Sequence, residues 1–160
     1  MLWAGWRSAY MSEVQQGAET EVCLFCELPS GTDEETYILA RTNSAYAVLN
    51  LYPYTSGHLL ITTNRHVGKP GDLAADEQQD VWSLLARTQA ALEEVLDPHG
   101  YNLGVNQGRA GGAGVPGHFH LHVVPRWSGD ANFMTAVANA RILPEPLEDT
   151  WARLREALAD

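Results

Sequence analysis

At 160 residues, 45% of them apolar, the chain has enough hydrophobic material for one compact domain and too little length for two. A formal net charge of −10 argues against a nucleic-acid backbone or an anionic membrane as partner, since both reward a basic face. No apolar run approaches the ~18–20 residues of a membrane span, and Met1 to Tyr10 lacks a signal-peptide core, so a cytoplasmic location is expected.

Residues 1–35 read as irregular: an aromatic arm, a Glu-, Gln- and Gly-containing stretch, then Cys23-Leu24-Phe25-Cys26. In a cytoplasmic chain the C-x-x-C spacing is a zinc half-site or a redox pair. A thioredoxin-type pair opens a helix, whereas Leu28-Pro29-Ser30-Gly31 is loop chemistry, so zinc is the better reading if two further ligands exist. Asp33, Glu34 and Glu35 read as a solvated turn. Thr36 to Arg41 and Ala45 to Leu51 are expected strands joined at Thr42-Asn43-Ser44, and His58 to Thr63 is a third strand after the Tyr52 to Gly57 loop. Asn64 to Asp72 is loop again.

Ala75 to Leu96 is the one long helix, with Val81, Leu85, Thr88, Leu92 and Val95 at the spacing of a buried stripe and Asp97-Pro98-His99-Gly100 as its stop. Tyr101 to Asn106 is a fourth strand. Gly108 to Gly117 holds five glycines in ten residues, and it does not match a G-x-G-x-x-G dinucleotide turn because a strand follows it. The tail is expected to form a helix over Asn132 to Ala138, a short strand near Ala140 to Leu143, and a last helix from Leu147 to Leu158. The whole is α+β, with a mainly antiparallel sheet of about five strands. It is expected to be one domain: an arm and knuckle (1–35), a sheet and long-helix core (36–125), and a C-terminal extension (126–160).

Half of the six histidines lie in His118-Phe119-His120-Leu121-His122. On a strand, a period of two puts the three imidazoles on one face and Phe119, Leu121 and Val123 on the other. Such a row suits either metal ligation or nucleophilic and acid–base chemistry near neutral pH. The glycine segment just before it tips the balance toward phosphate, because its backbone N–H groups stand with little side-chain obstruction at the entrance to the row.

His118-x-His120-x-His122 with apolar x residues resembles the signature of the histidine triad (HIT) nucleotide hydrolases and transferases. The resemblance extends to Asn50, Pro53 and Gly57-His58, to Asn106-Gln107-Gly108, and to Pro125 through Phe133, and is closest to the diadenosine-tetraphosphate phosphorylase and Fhit-like branches. It implies a HIT-type fold, with His120 as the nucleophile on an α-phosphorus and His122 and His58 supporting it. Asn50 would contact ribose, and Asn106, Gln107, Gly112, Ala113 and Gly114 would hold the phosphates. Gly114 departs from the Ser, Thr or Gln of many relatives, which leaves the acceptor, water or phosphate, open. Cys23, Cys26, His66 and His118 match the Cys-Cys-His-His set of zinc-containing members, implying one structural zinc.

The expected substrate is a dinucleoside polyphosphate or a nucleoside phosphoramidate. The expected assembly is a homodimer through the long helix and sheet edge, extendable to a tetramer. Two rivals stand beside this reading. One is a metalloenzyme using the three histidines as ligands, and the other is a zinc-containing nucleotide-binding regulator without turnover.

Overall fold

The computed structural model describes residues 22–130 and 145–159. The expected tail helix over Asn132 to Ala138, the strand near Ala140 to Leu143, and the aromatic arm lie outside these residues. Two short helices, α1 (Leu24–Glu27) and α2 (Asp33–Thr36), precede strands β1 (Ile38–Arg41), β2 (Ala45–Leu49) and β3 (Leu59–Thr63). The long helix α3 (Ala75–Leu96) follows, then β4 (Gly100–Val105), β5 (His120–Arg126) and α4 (Leu147–Ala157). The strands form one antiparallel sheet in the order β1-β2-β3-β5-β4, as the α+β reading requires. No helix among the described residues is long and apolar enough to cross a membrane.

Residues 22–35 are more ordered than the sequence reading allows. The acidic run is a helix because Thr32 and Glu35 cap it reciprocally: Glu35 N–H donates to Thr32 Oγ1, and Thr32 N–H donates to Glu35 Oε2, both at 3.3 Å. Thr36 therefore ends a helix instead of opening a strand, and Tyr37 makes the reversal with a left-handed φ of 56°. The second strand likewise stops at Leu49, short of Leu51.

The central strands of the sheet are buried on both faces, whereas the edge strand β4 is largely exposed. Ala45, Ala47, Leu49, Leu59, Ile61, Leu121 and Val123 pack against the α3 stripe of Val81, Leu84, Leu85 and Leu92, joined by Leu154 of α4. Ile38, Tyr46, Val48 and Leu60 form the opposite face under Phe25 of α1. β2 and β3 are buried at every position and are apolar throughout except for Thr62 and Thr63 at the end of β3. α4 is tied to the edge strand through Trp151 Nε1, which donates to Ile38 O at 3.0 Å, and Arg155, which donates to Leu39 O at 2.9 Å.

Gly57 enters β3 with a φ of +73°, and a Cβ there would stand 2.6 Å from Leu96 Cδ1 and 2.7 Å from Leu92 Cδ2. Both the turn and the helix contact exclude a side chain. Gly57→Ala is expected to lose about 2–3 kcal/mol of stability in urea unfolding, from the left-handed strain and the displaced leucines together.

Candidate active site and metal centre

The sheet register sets the site. His122 sits opposite Leu60 of β3 and Gly104 of β4, and His120 opposite Thr62. Both imidazoles project from the Phe25 side of the sheet, while Phe119, Leu121 and Val123 join the α3 side, as period-two alternation predicts. His118 differs from expectation in one respect: β5 begins at His120, so His118 precedes the strand. Its chain is fixed instead by Phe119 N–H, which donates to Val67 O at 2.6 Å.

Hydrogen-bond partners fix the tautomer of each ring. His120 Nδ1 lies 2.8 Å from the His118 carbonyl, an acceptor only, so Nδ1 carries the proton and Nε2 holds the lone pair. Burial lowers the pKa of this imidazole, which keeps it neutral at pH 7. His58 Nδ1 accepts from Tyr54 N–H at 3.0 Å, so its proton is on Nε2, which donates to His122 Nδ1 at 3.0 Å. His122 in turn carries its proton on Nε2. Two neighbouring rings, 5.2 Å apart, therefore hold opposite tautomers: a lone pair on His120 Nε2 and an N–H on His122 Nε2. The Tyr54 ring lies over His58 at 4.6 Å and parallel to His122 at 6.1 Å, holding both in place.

His120 and His122 line a cleft of about 140 Å³. Asn50, Asn106, Gly112 and Gly114 also line it, and Val48, Leu60 and Val115 form part of its apolar wall. Leu24, Phe25 and Leu28 complete that wall, a contribution that no feature of the sequence reading anticipated. No Lys, Arg, Asp or Glu lines the cleft among the described residues. Gln107 is exposed and Ala113 buried, and neither is part of the cleft lining. The glycine loop is partly closed on itself: Gly112 N–H donates to Arg109 O at 3.0 Å and Ala113 N–H to Gly108 O at 3.2 Å. Those two amides are engaged in the loop's own turn, so of the expected phosphate donors Asn106 and Gly114 are the ones that reach the cleft without such engagement. A Cβ on Gly111 would overlap the Gln107 carbonyl, which fixes glycine at the tightest point of the loop.

Behind Phe25 lies a second cluster. One ligand atom from each of Cys23, Cys26, His66 and His118 falls within 4.8 Å of all the others. His118 Nδ1 is 3.3 Å from Cys23 Sγ and 3.6 Å from Cys26 Sγ, and His66 Nδ1 is 3.4 Å from Cys26 Sγ. The sulfur–nitrogen edge of a tetrahedron with ordinary zinc bond lengths is about 3.5 Å, so the donors already stand at coordination spacing. His118 Nε2 is 2.8 Å from the Thr63 carbonyl and so carries the proton, leaving Nδ1 with its lone pair toward the sulfurs. Burial lowers the His118 pKa and favours the same neutral form. These residues fit a metal ion. Of the three triad rings only His118 belongs to this group, so the row does not converge on one metal.

The other histidine, His99, accepts from Ser128 N–H at 2.9 Å in the turn that follows α3, a structural clasp.

The HIT domain family matches residues 32–129. A protein of Mycobacterium tuberculosis named AP-4-A phosphorylase is 37% identical over 164 residues, covering 95% of this chain and 84% of its own. An asymmetrical bis(5'-nucleosyl)-tetraphosphatase of Schizosaccharomyces pombe is 31% identical over 106 residues, 66% of this chain and 56% of that protein. Among solved structures, a zinc-bound histidine triad family protein from Mycobacterium smegmatis superposes with a TM-score of 0.69 at 31% identity, over 86% of this chain and 93% of that one. With the family matched over more than half its length, this chain belongs to the HIT-domain family.

Proposed function

We propose that this protein cleaves dinucleoside polyphosphates, with diadenosine tetraphosphate as the reference substrate, through a nucleotidyl intermediate on His120. Nucleoside phosphoramidates, which present the same α-phosphorus, are the alternative substrate. The observation that carries the reading is the pair of opposite tautomers on β5. His120 Nε2 attacks the α-phosphorus, and the bond to the leaving polyphosphate breaks. The His122 N–H faces the charge that develops on the phosphoryl oxygens, and His58 holds that tautomer from behind. Water or phosphate then displaces the nucleotidyl group from nitrogen, restoring the imidazole.

With no cationic side chain lining the cleft among the described residues, the anion is met there by dipoles: Asn106, the Gly114 backbone and the His122 N–H. Asn50 lines the same cleft, which supports its reading as the ribose contact. Gln107, Gly112 and Ala113 contribute only if the glycine turn reopens, and the apolar wall takes the base. Zinc is the metal we assign to Cys23, Cys26, His66 and His118. Four protein ligands close its coordination, so the ion supplies a structural cross-link and leaves the chemistry to the histidines.

Diadenosine tetraphosphate incubated with and without inorganic phosphate tests the reaction. ATP plus ADP formed only with phosphate marks a phosphorylase, and ATP plus AMP without it marks a hydrolase. Tight AMP binding with no cleavage of any dinucleotide overturns the enzymatic reading in favour of a regulator. His58→Gln is expected to lower kcat by about ten- to a hundredfold, the usual effect of removing the partner that orients a functional histidine, with KM little changed.

We further propose a single cytoplasmic domain that assembles as a homodimer across α3 and the β4 edge, where Trp82 and Leu103 stand 63% and 46% exposed. A tetramer would need further contacts from the arm or tail. Leu103→Asp with Trp82→Arg is expected to give a monomer by sedimentation analysis.

A further inference from the structure

Cys23 is the N-cap of α1 and Cys26 lies within it, and the two residues between them, Leu24 and Phe25, face the cleft. Leu24 and Phe25 line the cleft, and Leu28 follows them in the same wall. The Phe25 ring stands between the two centres, 5.4 Å from the His118 ring and 5.1 Å from the His120 ring. A four-residue helix has no stability of its own. What holds this one is the Phe25 plug, a 2.6 Å hydrogen bond from Tyr46 Oη to the Phe25 carbonyl, and the Cys23 and Cys26 sulfurs beside the His66 and His118 nitrogens. The histidines of the reaction are held through the backbone, His120 Nδ1 donating to the His118 carbonyl. His120 and His122 are paired into β5, with Thr62 Oγ1 donating to Phe119 O at 2.6 Å beside them.

We propose that the metal centre controls nucleobase affinity: with its ligands engaged, the Cys23–Cys26 turn holds Leu24 and Phe25 as the wall against which the base packs. Loss of the metal slackens that wall and leaves the phosphate-facing histidines in place. Leu24 and Phe25 are on this account positioning and specificity residues for the reaction proposed above, and the inference rests on that reading of the cleft.

The full-length protein with its metal, and the same protein after chelation, are titrated with AMP and with ribose 5-phosphate, which lacks the base. AMP affinity is expected to fall by about tenfold on stripping, the scale of losing one or two apolar side chains from contact with a base. Ribose 5-phosphate affinity is expected to change by less than about twofold. Parallel weakening of both ligands, or of neither, overturns the proposal.

If the stripped chain unfolds, the cobalt-loaded protein decides. AMP is expected to shift the d–d and thiolate-to-cobalt bands, and ribose 5-phosphate to leave them unchanged. Bands indifferent to AMP, or moved equally by both ligands, overturn the coupling. Failure of AMP to bind the metal-loaded protein at all removes the nucleotide reading itself, an outcome distinct from failure of the coupling.

Discussion

Replacement of His120 by asparagine is expected to lower turnover by at least about a thousandfold while the protein stays folded, because it deletes the nucleophile and little else. The asparagine amide can still donate to the His118 carbonyl that His120 Nδ1 now reaches at 2.8 Å. The strand pairing with Thr62 is a backbone property and survives the change. What disappears is the lone pair on Nε2, which no neighbouring group replaces: His122 has its proton on the corresponding nitrogen, and the His118 ring faces the sulfurs. AMP affinity is therefore expected to change little, and an unfolding midpoint close to wild type separates the effect from misfolding. Retention of full activity would mean that His120 is not the nucleophile.

The second large effect is expected from the metal centre. Cys23→Ser, or prolonged chelation, should remove on the order of 4 kcal/mol of stability, the linkage contribution of a ligand present at about a thousand times its dissociation constant. The effect is large because the cluster joins distant parts of the chain. Cys23 caps α1 and Cys26 lies within it, His66 follows β3, and His118 leads into β5, so one ion closes loops that the unfolded chain would leave open. Metal analysis of protein purified without chelator should find near one equivalent of zinc per chain. Protein that carries none, and that loses no thermal stability when chelator is added, would remove zinc from the account.

Much of this site was legible in the sequence because its signals are local. The period of two in His118 to His122 shows which residues share a face, and a strand delivers that alternation whatever packs on it. The α3 stripe and its Asp97-Pro98 stop placed the long helix over Ala75 to Leu96, the range observed. Thr32-x-x-Glu35 is a further local signal, a capping box that turns the apparent acidic turn into α2.

The remainder depended on contacts between distant segments. Leu24 and Phe25 reach a cleft whose histidines lie nearly a hundred residues away, and no local pattern in Cys-Leu-Phe-Cys says which way the intervening side chains point. The tautomers of His58 and His122 are set by Tyr54 N–H, a backbone donor invisible to composition. The glycine segment invited a cradle of amides, yet Gly112 and Ala113 donate within their own turn, because a buried or half-buried N–H takes the nearest carbonyl available.

Covalent transfer through His120 is tested most directly by acid-free rapid quenching of the protein during turnover of diadenosine tetraphosphate, followed by mass spectrometry of the peptide spanning Gly117 to Arg126. An adenylyl group is expected on His120, present during turnover and absent in His120→Asn. An adenylyl group on another residue, or active turnover with no adduct at any time point, would contradict it.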